Sequence, residues 1–372
     1  MKLLRCVIAL CLALAMLASL TACHKQGEVA LTVGDIEITS GLYSYYLVDA
    51  DGEAKQIIDD SEDYDSTAKN FSYYKTTIEG VKFEEYVKNL ALKKCREYAA
   101  YETLIKKAGT TAEEDSIQSV VDFYWETYGF KDIYEANGVG YDTYLKANIH
   151  EAKKSEYFLN IYREGGEKAL TEAEKQKALD DHYAAIYSLE YSWGSEEGGT
   201  EQKAKEKLDA YAERLKKGET FEKLYNEYND IKDSSDKEDN TSSTTSNTSS
   251  DSQTSSGSEQ EKEPAPKDEL LNVIGDEDTG YTFDLFSDIK AMKKDEVKVI
   301  SDAENKIVYL VIKKDINSDS YYRDVQLEDD IISLLKEEDF KKEMDEYIDS
   351  LKYTVNDYAV NQFKVKKIYD GQ

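Results

Sequence analysis

Residues 215–228 have the sequence Leu215-Lys-Lys-Gly-Glu-Thr-Phe-Glu-Lys-Leu-Tyr-Asn-Glu-Tyr228. The residues before them, 201–217, carry apolar side chains at helical spacing. Gly218 is predicted to end this helix, because glycine readily adopts the left-handed conformation that follows a helix. A second, short helix is predicted to begin near Phe221. The stretch therefore predicts two helices joined by a tight turn.

Strand patterns flank this helix pair. Ile186 to Trp193 alternates and is rich in Tyr, Ser and Trp, which predicts a strand. Further along, order is predicted to resume at Asn272–Ile274, followed by a helix at Phe283–Met292. Two more strands are predicted at Val297–Ile300 and Lys306–Lys313. The pattern indicates a small β/α region.

Residues 231–268 interrupt this region. They are dominated by Ser, Thr, Asn, Asp, Glu and Lys, and they contain both prolines of the chain, Pro264 and Pro266. Such a composition buries too little apolar surface to offset the entropy cost of ordering. We predict a disordered insert here.

The rest of the chain is predominantly helical in pattern. Val29–Ile38 predicts a hairpin, after which Thr39 is expected to cap a helix. Phe83–Lys107 has one apolar face at 3.6-residue spacing. Tyr321–Leu351 is predicted to be helical in two pieces, and Tyr358–Ile368 to be strand-like. The expected fold class is α+β, with helices flanking the β/α region.

The first 23 residues have the pattern of a lipoprotein signal. Lys2 and Arg5 form a short positively charged start. The apolar run Cys6–Leu17 comes next, and Leu20-Thr-Ala-Cys23 follows it. The run is shorter than the roughly 20 residues that a spanning helix needs. We predict cleavage before Cys23 and lipidation of its thiol, which would hold the protein on the outer face of the bacterial cytoplasmic membrane. A plain secretory signal and a retained anchor are the alternatives.

Composition limits the classes of partner. The chain has 47 basic and 77 acidic residues, a net charge of −30. Removing residues 1–22 takes away Lys2 and Arg5 and brings the charge to −32. Such a surface repels nucleic acid. Beyond residue 23 the only cysteine is Cys95, so no internal disulfide is expected, and its place on an apolar helical face predicts a core residue.

Four stretches resemble the PrsA/SurA family of extracytoplasmic foldases. Val29–Thr39 is similar to the family's opening V-A-x-V-N-G-x-x-I-T, without its Asn. Leu170–Tyr183 resembles the helix V-T-x-x-E-I-x-x-Y-Y. Residues 215–228 resemble the parvulin segment L-K-x-G-x-x-F-x-x-L-A-x-x-Y, and Lys293–Lys313 resembles the end of a parvulin domain. The resemblance extends over nearly all of the chain beyond residue 23.

This resemblance implies a helical chaperone domain built from both ends of the chain, with a parvulin-like prolyl isomerase domain between them. The domains expected from it follow the signal peptide, residues 1–22, and the lipidated N-terminus, residues 23–28. They are the N-terminal helical domain 29–183, the parvulin-like domain 184–316 with its insert 231–268, and the C-terminal helical segment 317–372.

Parvulins, as the resemblance implies, use two histidines that face each other from neighbouring strands, with an Asp or Cys beside them. The first of these positions falls at Glu190 and the second at Leu310. The Asp or Cys position falls at Ile231, one residue after Asp230. The insert replaces the family's G-G-D-L-G segment. The expected catalytic histidines are therefore missing from these positions.

Four residues are candidates for a divergent isomerase site: Glu190, Asp230, Tyr309 and Phe283, the last with Leu285 and Phe286 as contacts to a proline ring. The three histidines of the chain, His24, His150 and His182, lie outside the isomerase strands. Neither a metal site nor a cofactor is expected.

The sequence thus predicts a membrane-anchored extracytoplasmic foldase or chaperone with a weak or inactive parvulin-like domain. Its partners would be unfolded or partly folded exported proteins and, through the lipid on Cys23, the membrane. One alternative is an active parvulin-type isomerase with a divergent site. Another is a surface lipoprotein with no chaperone role.

Overall fold

The computed structural model describes residues 27–194, 199–229, 270–276, 282–316 and 325–371. Cys23, Asp230 and the predicted insert lie outside these ranges. The described residues form two compact units, divided after Ala169 and after Leu335. Unit 1 contains the parts of the chain before the first division and after the second, and unit 2 lies between them. The boundaries predicted from the sequence, after residues 183 and 316, differ from these divisions.

The strands are β1 (Val29–Val33), β2 (Ile36–Thr39), β3 (Thr77–Ile78), β4 (Val81–Lys82), β5 (Tyr183–Ser192), β6 (Asn272–Gly275), β7 (Val297–Asp302), β8 (Ile307–Lys314) and β9 (Tyr353–Val355). The helices are α1 (Ser40–Asp59), α2 (Phe83–Ala108), α3 (Glu114–Thr127), α4 (Phe130–Ala136), α5 (Tyr141–Tyr162), α6 (Glu172–His182), α7 (Glu201–Lys216), α8 (Phe221–Tyr228), α9 (Phe283–Ala291), α10 (Val325–Ser350) and α11 (Asp357–Val360).

Unit 1 begins with the predicted hairpin, to which a distant strand is added. Its sheet has the order β2-β1-β9, with both pairs antiparallel. Thr39 caps α1, since its hydroxyl accepts a hydrogen bond from the backbone N–H of Leu42 at 3.3 Å. The C-terminal segment therefore completes the sheet that the N-terminus starts.

The core of unit 1 lies between this sheet, α1 and α2. The face of α2 that the spacing predicted is buried, including Val87, Ala91 and Cys95. Gly109 ends this helix at φ 70°, a conformation that glycine adopts without steric cost. The prediction for this helix is confirmed, apart from one residue at its end.

Unit 2 is built on one antiparallel sheet with the strand order β6-β5-β8-β7. Helices α7 and α8 supply apolar side chains to one face of this sheet, and α9 supplies them to the other. Helix α6 begins with the capping box that Thr171 and Glu174 predict, with both reciprocal hydrogen bonds formed. The α+β class is confirmed, while the parvulin-like identity of this unit stays a prediction.

Two predictions for the C-terminal part differ from the structure. α10 is one continuous helix rather than two pieces. The strand-like prediction for 358–368 is wrong, since these residues form most of α11 and a 3₁₀ turn at Val365–Lys367. The reason lies in Asn356. Its side-chain oxygen accepts the backbone N–H of Ala359 at 3.3 Å and caps α11 instead of extending β9.

Within the described ranges, every helix is too short or too polar to pass through a lipid bilayer.

Candidate functional site

The sheet of unit 2 has two distinct faces because side chains alternate along each strand. In the register of β5 and β8, Glu190 pairs with Tyr309, and Leu189 pairs with Leu310. Tyr309 is 2% exposed and packs in the cluster formed with α9. Leu310 packs on the opposite face, in the cluster formed with α7 and α8. Positions 190 and 310 therefore do not face each other.

Of the residues predicted for a divergent isomerase site, the structure places Glu190 and Tyr309 next to each other. Glu190 is exposed and Tyr309 is buried, although the two are direct partners across the strands. The Glu190 carboxylate makes no ion pair or hydrogen bond within the described part of the chain, while its backbone oxygen accepts the Tyr228 hydroxyl at 2.6 Å. Phe283 is the first residue of α9. The arrangement brings together an exposed carboxylate and a buried phenol, not an adjacent pair of proton-transferring groups.

The face beside α9 also carries two half-buried lysines. Lys290 donates hydrogen bonds to the backbone oxygens of Leu179 and Tyr183, close to the end of α6. Burial is the main cause that lowers the pKa of Lys313 to about 8, and the charge of Lys290 is a second one. Burial likewise lowers the pKa of Lys290. The polar groups of this face therefore have mixed charge, since Asp180, Asp181 and Asp276 lie near Lys290.

Two histidines lie in the described ranges, and each is bonded to a carboxylate. His150 Nδ1 lies 2.7 Å from Glu102 Oε1 in unit 1, and His182 Nδ1 lies 2.8 Å from Asp276 Oδ2 in unit 2. His150 joins α5 to α2, and His182 ends α6. Among the described residues, no three or more His, Cys, Asp or Glu side chains are grouped so that they could hold a metal ion.

The most exposed apolar surface among the described residues lies in unit 1, on α3 and the residue after it. Val120 is 55% exposed, Phe123 54%, Tyr124 43% and Tyr128 59%. The Tyr124 and Tyr128 rings stack with centroids 5.2 Å apart, and the Phe123 ring meets them edge-on at 5.9 and 5.7 Å. We call these four residues the aromatic surface.

The aromatic surface rests on a packed support. On the other side of α3, Val121 and Trp125 are 3% and 4% exposed. The Trp125 ring lies 5.0 Å from that of Tyr144 on α5 and 6.4 Å from that of Tyr134 on α4. Because these contacts bury one side of α3 completely, the exposed side chains are not a gap in the core but a separate outward face.

The sequence prediction missed this surface. It gave no binding role to Val120, Phe123, Tyr124 or Tyr128. A signal was present, because residues 120, 121, 123, 124 and 125 are all apolar or aromatic. Apolar residues this closely spaced cannot all share one face of a helix, so some of them must point outwards.

Comparisons with known proteins return only solved structures. No family model matches the chain, and no curated protein matches it. It is similar to the crystal structure of foldase protein PrsA from Streptococcus pneumoniae at 16% identity and a TM-score of 0.36, over 72% of this chain and 86% of that one. It is also similar to PrsA from Bacillus subtilis at 13% identity and a TM-score of 0.29, over 78% and 89% of the two chains. Both TM-scores are below 0.5.

Proposed function

We propose that this chain is a lipid-anchored extracytoplasmic chaperone of the foldase type, which binds unfolded or partly folded exported proteins. The observation that carries the proposal is the aromatic surface, where four apolar side chains of α3 and the residue after it are exposed side by side. Contiguous exposed apolar side chains on a soluble protein mark an interaction site more often than isolated ones.

The aromatic surface suits weak and sequence-tolerant binding. Full burial of one such side chain contributes about 1.5–3 kcal/mol. Association and the ordering of a flexible chain cost several kcal/mol and offset most of that gain. Flat aromatic rings also accept many apolar side chains, because they impose little shape of their own. These are the properties that a protein needs when its partners are unfolded chains of varied sequence.

The signal pattern supports the location. Cleavage before Cys23 would leave a lipid four residues before Gly27, where the described chain begins. Four residues span at most about 14 Å when fully extended. Unit 1 would thus stand next to the membrane, where exported chains emerge.

We further propose that unit 2 is a parvulin-like domain with weak or no isomerase activity. Glu190 occupies the position of the first expected histidine, and its neighbour across the sheet is the buried phenol of Tyr309. An exposed carboxylate beside a buried phenol gives no evident means of favouring the twisted amide, whose barrier is about 18–20 kcal/mol. An active divergent isomerase is the alternative function, and it would depend on Glu190, Tyr309, Asp230 or Phe283.

The test uses the soluble chain 24–372, which contains every described residue. We expect it to suppress aggregation of a reduced secreted protein and to leave the isomerisation rate of a proline tetrapeptide at its uncatalysed value. The triple variant Phe123→Ser/Tyr124→Ser/Tyr128→Ser should lose most of the suppression, because it removes the apolar contact area. Circular dichroism and the melting temperature would establish that the variant is folded.

The control is a second triple variant in unit 1, Tyr353→Ser/Tyr358→Ser/Tyr369→Ser, whose tyrosines are 45%, 74% and 41% exposed. It should retain the suppression of the unsubstituted chain. Equal loss in both triple variants would count against a specific role for the aromatic surface. Clear isomerisation that falls in Glu190→Ala or Phe283→Ala would favour the alternative function.

A further inference from the structure

The segment around the aromatic surface is far more acidic than the chain as a whole. Residues 113–142 contain eight Asp or Glu and a single basic residue, Lys131. This segment has a net charge of −7 over 30 residues, whereas the whole chain has a net charge of −30 over 372 residues. The local charge density is therefore about three times the average, so the acidity here exceeds the general habit of the chain.

Three of these acids form a row beside the aromatic surface. Asp115, Asp122 and Glu126 are exposed on α3, separated by seven and four residues. Residues at such separations lie one above another on a helix. Glu126 comes three residues after Phe123, so the acidic row borders the ring of Phe123 along the helix.

The charges in this row are not cancelled by their surroundings. Lys131 lies 3.5 Å from Glu126, but both side chains are largely exposed, and such pairs bind weakly and remain in exchange with solvent. Asp122 accepts a hydrogen bond from the Tyr141 hydroxyl, an uncharged partner whose pKa this bond raises to about 12. Asp115 has no side-chain partner within the described residues. Lys153 forms an ion pair with Glu114, with Nζ 2.5 Å from Oε1.

We infer that the aromatic surface selects extended apolar segments flanked by lysine or arginine. The inference rests on the proposed function and names its substrate class. Apolar side chains of the segment would lie on Phe123, Tyr124 and Tyr128. Flanking cations would lie near the acidic row and over the exposed tyrosine rings, which attract cations through their π faces. Segments with acidic flanks would be repelled.

The dimensions set the length of the segment. Eight residues separate Val120 from Tyr128, which is about 12 Å along a helix. An extended chain covers that distance in about four residues. A four-residue apolar core with charged residues on both sides is therefore the smallest probe that tests the inference.

The test uses three fluorescent peptides with the core Leu-Phe-Ala-Leu and two Lys, two Gln or two Glu residues on each side. Binding to the chain 24–372 is measured by fluorescence anisotropy. In 50 mM NaCl we expect the Lys-flanked peptide to bind at least about tenfold more tightly than the Glu-flanked one, with the Gln-flanked peptide between them. The ratio should shrink severalfold in 500 mM NaCl, because salt screens exposed charges.

Variants separate the two contributions. Asp115→Asn/Glu126→Gln should weaken the Lys-flanked peptide and leave the Gln-flanked peptide unchanged. The control Glu62→Gln/Asp63→Asn, which removes two exposed acids elsewhere in unit 1, should change neither. Equal affinity of the unsubstituted chain for the Lys- and Glu-flanked peptides would overturn the inference while leaving the proposed function intact. Unchanged binding of all three peptides in the Phe123→Ser/Tyr124→Ser/Tyr128→Ser variant would overturn both.

Discussion

His150 is one of the few buried polar residues of unit 1. It is 2% exposed, its ring centroid lies 4.0 Å from that of Tyr98, and its Nδ1 bonds to Glu102 at 2.7 Å. The hydrogen bond with His150 holds the pKa of Glu102 below its ordinary value, although burial acts in the opposite direction. A buried polar side chain without such a partner would be costly, so the pair stabilises the α2–α5 contact.

The stability that Glu102 contributes should depend on pH. Because its pKa is lower in the folded state, the carboxylate stabilises the fold above the ordinary glutamate pKa of about 4.3, and this contribution is lost as the pH falls through the lowered folded value. We expect the chain to melt at a higher temperature than Glu102→Gln at pH 7, and the difference to close as the pH falls below the ordinary glutamate pKa and through the lowered folded value. The variant Glu62→Gln, at an exposed position, is the control. A constant difference across this range would contradict the assignment.

Within unit 2, Lys175 joins α6 to α10. Its Nζ lies 2.8 Å from Glu328 Oε1, and the two side chains are 6% and 16% exposed. Burial alone would lower the pKa of Lys175, but the hydrogen bond and the charge of Glu328 outweigh it and raise the pKa. Lys175 therefore keeps its charge in a contact between two helices that is largely shielded from solvent.

Removing one partner of this pair should lower the free energy of unfolding far more than replacing both partners with apolar residues. Glu328→Gln leaves a nearly buried ammonium without its main partner, so we expect a loss of about 2–3 kcal/mol in the free energy of unfolding. Lys175→Met/Glu328→Leu should lie within about 1 kcal/mol of the unsubstituted chain, since apolar replacements need no compensation for lost hydration. Urea unfolding in the Trp125→Phe background, where Trp193 fluorescence reports unit 2 alone, measures both.

The control for this cycle is on the same helix. Lys177 and Asp181 form an exposed pair four residues apart, so Asp181→Asn should cost about 0.5 kcal/mol or less. A cost for Glu328→Gln as small as that for Asp181→Asn would show that the contact between Lys175 and Glu328 is solvated.

The sequence predicted correctly those elements whose signals lie within a few neighbouring residues. The α2 stripe, the Thr39 cap and the Thr171–Glu174 capping box are each contained in a few neighbouring residues, and the structure confirms them. The face of Leu310 could not be predicted so readily. A shift of one residue in strand register moves a side chain to the other face of a sheet, and a letter-by-letter resemblance does not fix the register.

At the scale of the molecule, the chain forms unit 1 from two parts that are far apart in sequence. β9 has only three residues, yet it pairs with β1, and the Asn356 side chain donates a hydrogen bond to the Val29 backbone oxygen at 3.0 Å. Such a short strand carries almost no pattern of its own. Only the resemblance to two-part foldases predicted that the C-terminal segment returns to the N-terminal one.

The two units carry one tryptophan each, so their unfolding can be followed separately. Trp125 lies in unit 1 and Trp193 in unit 2. Unit 1 buries the larger apolar core, and a larger core gives a more stable domain. In urea we therefore expect the Trp125→Phe variant, which reports Trp193, to show a lower midpoint than Trp193→Phe, which reports Trp125.

Cys95 gives an independent check within unit 1. It is fully buried, burial raises the pKa of its thiol, and it is the only cysteine of the chain 24–372. Its reaction with a maleimide should stay about a thousandfold or more below that of a free thiol through the first transition and accelerate only with the second. Coincident midpoints in the two tryptophan variants, with Cys95 reacting at the same urea concentration, would mean that the two cores unfold as one cooperative structure.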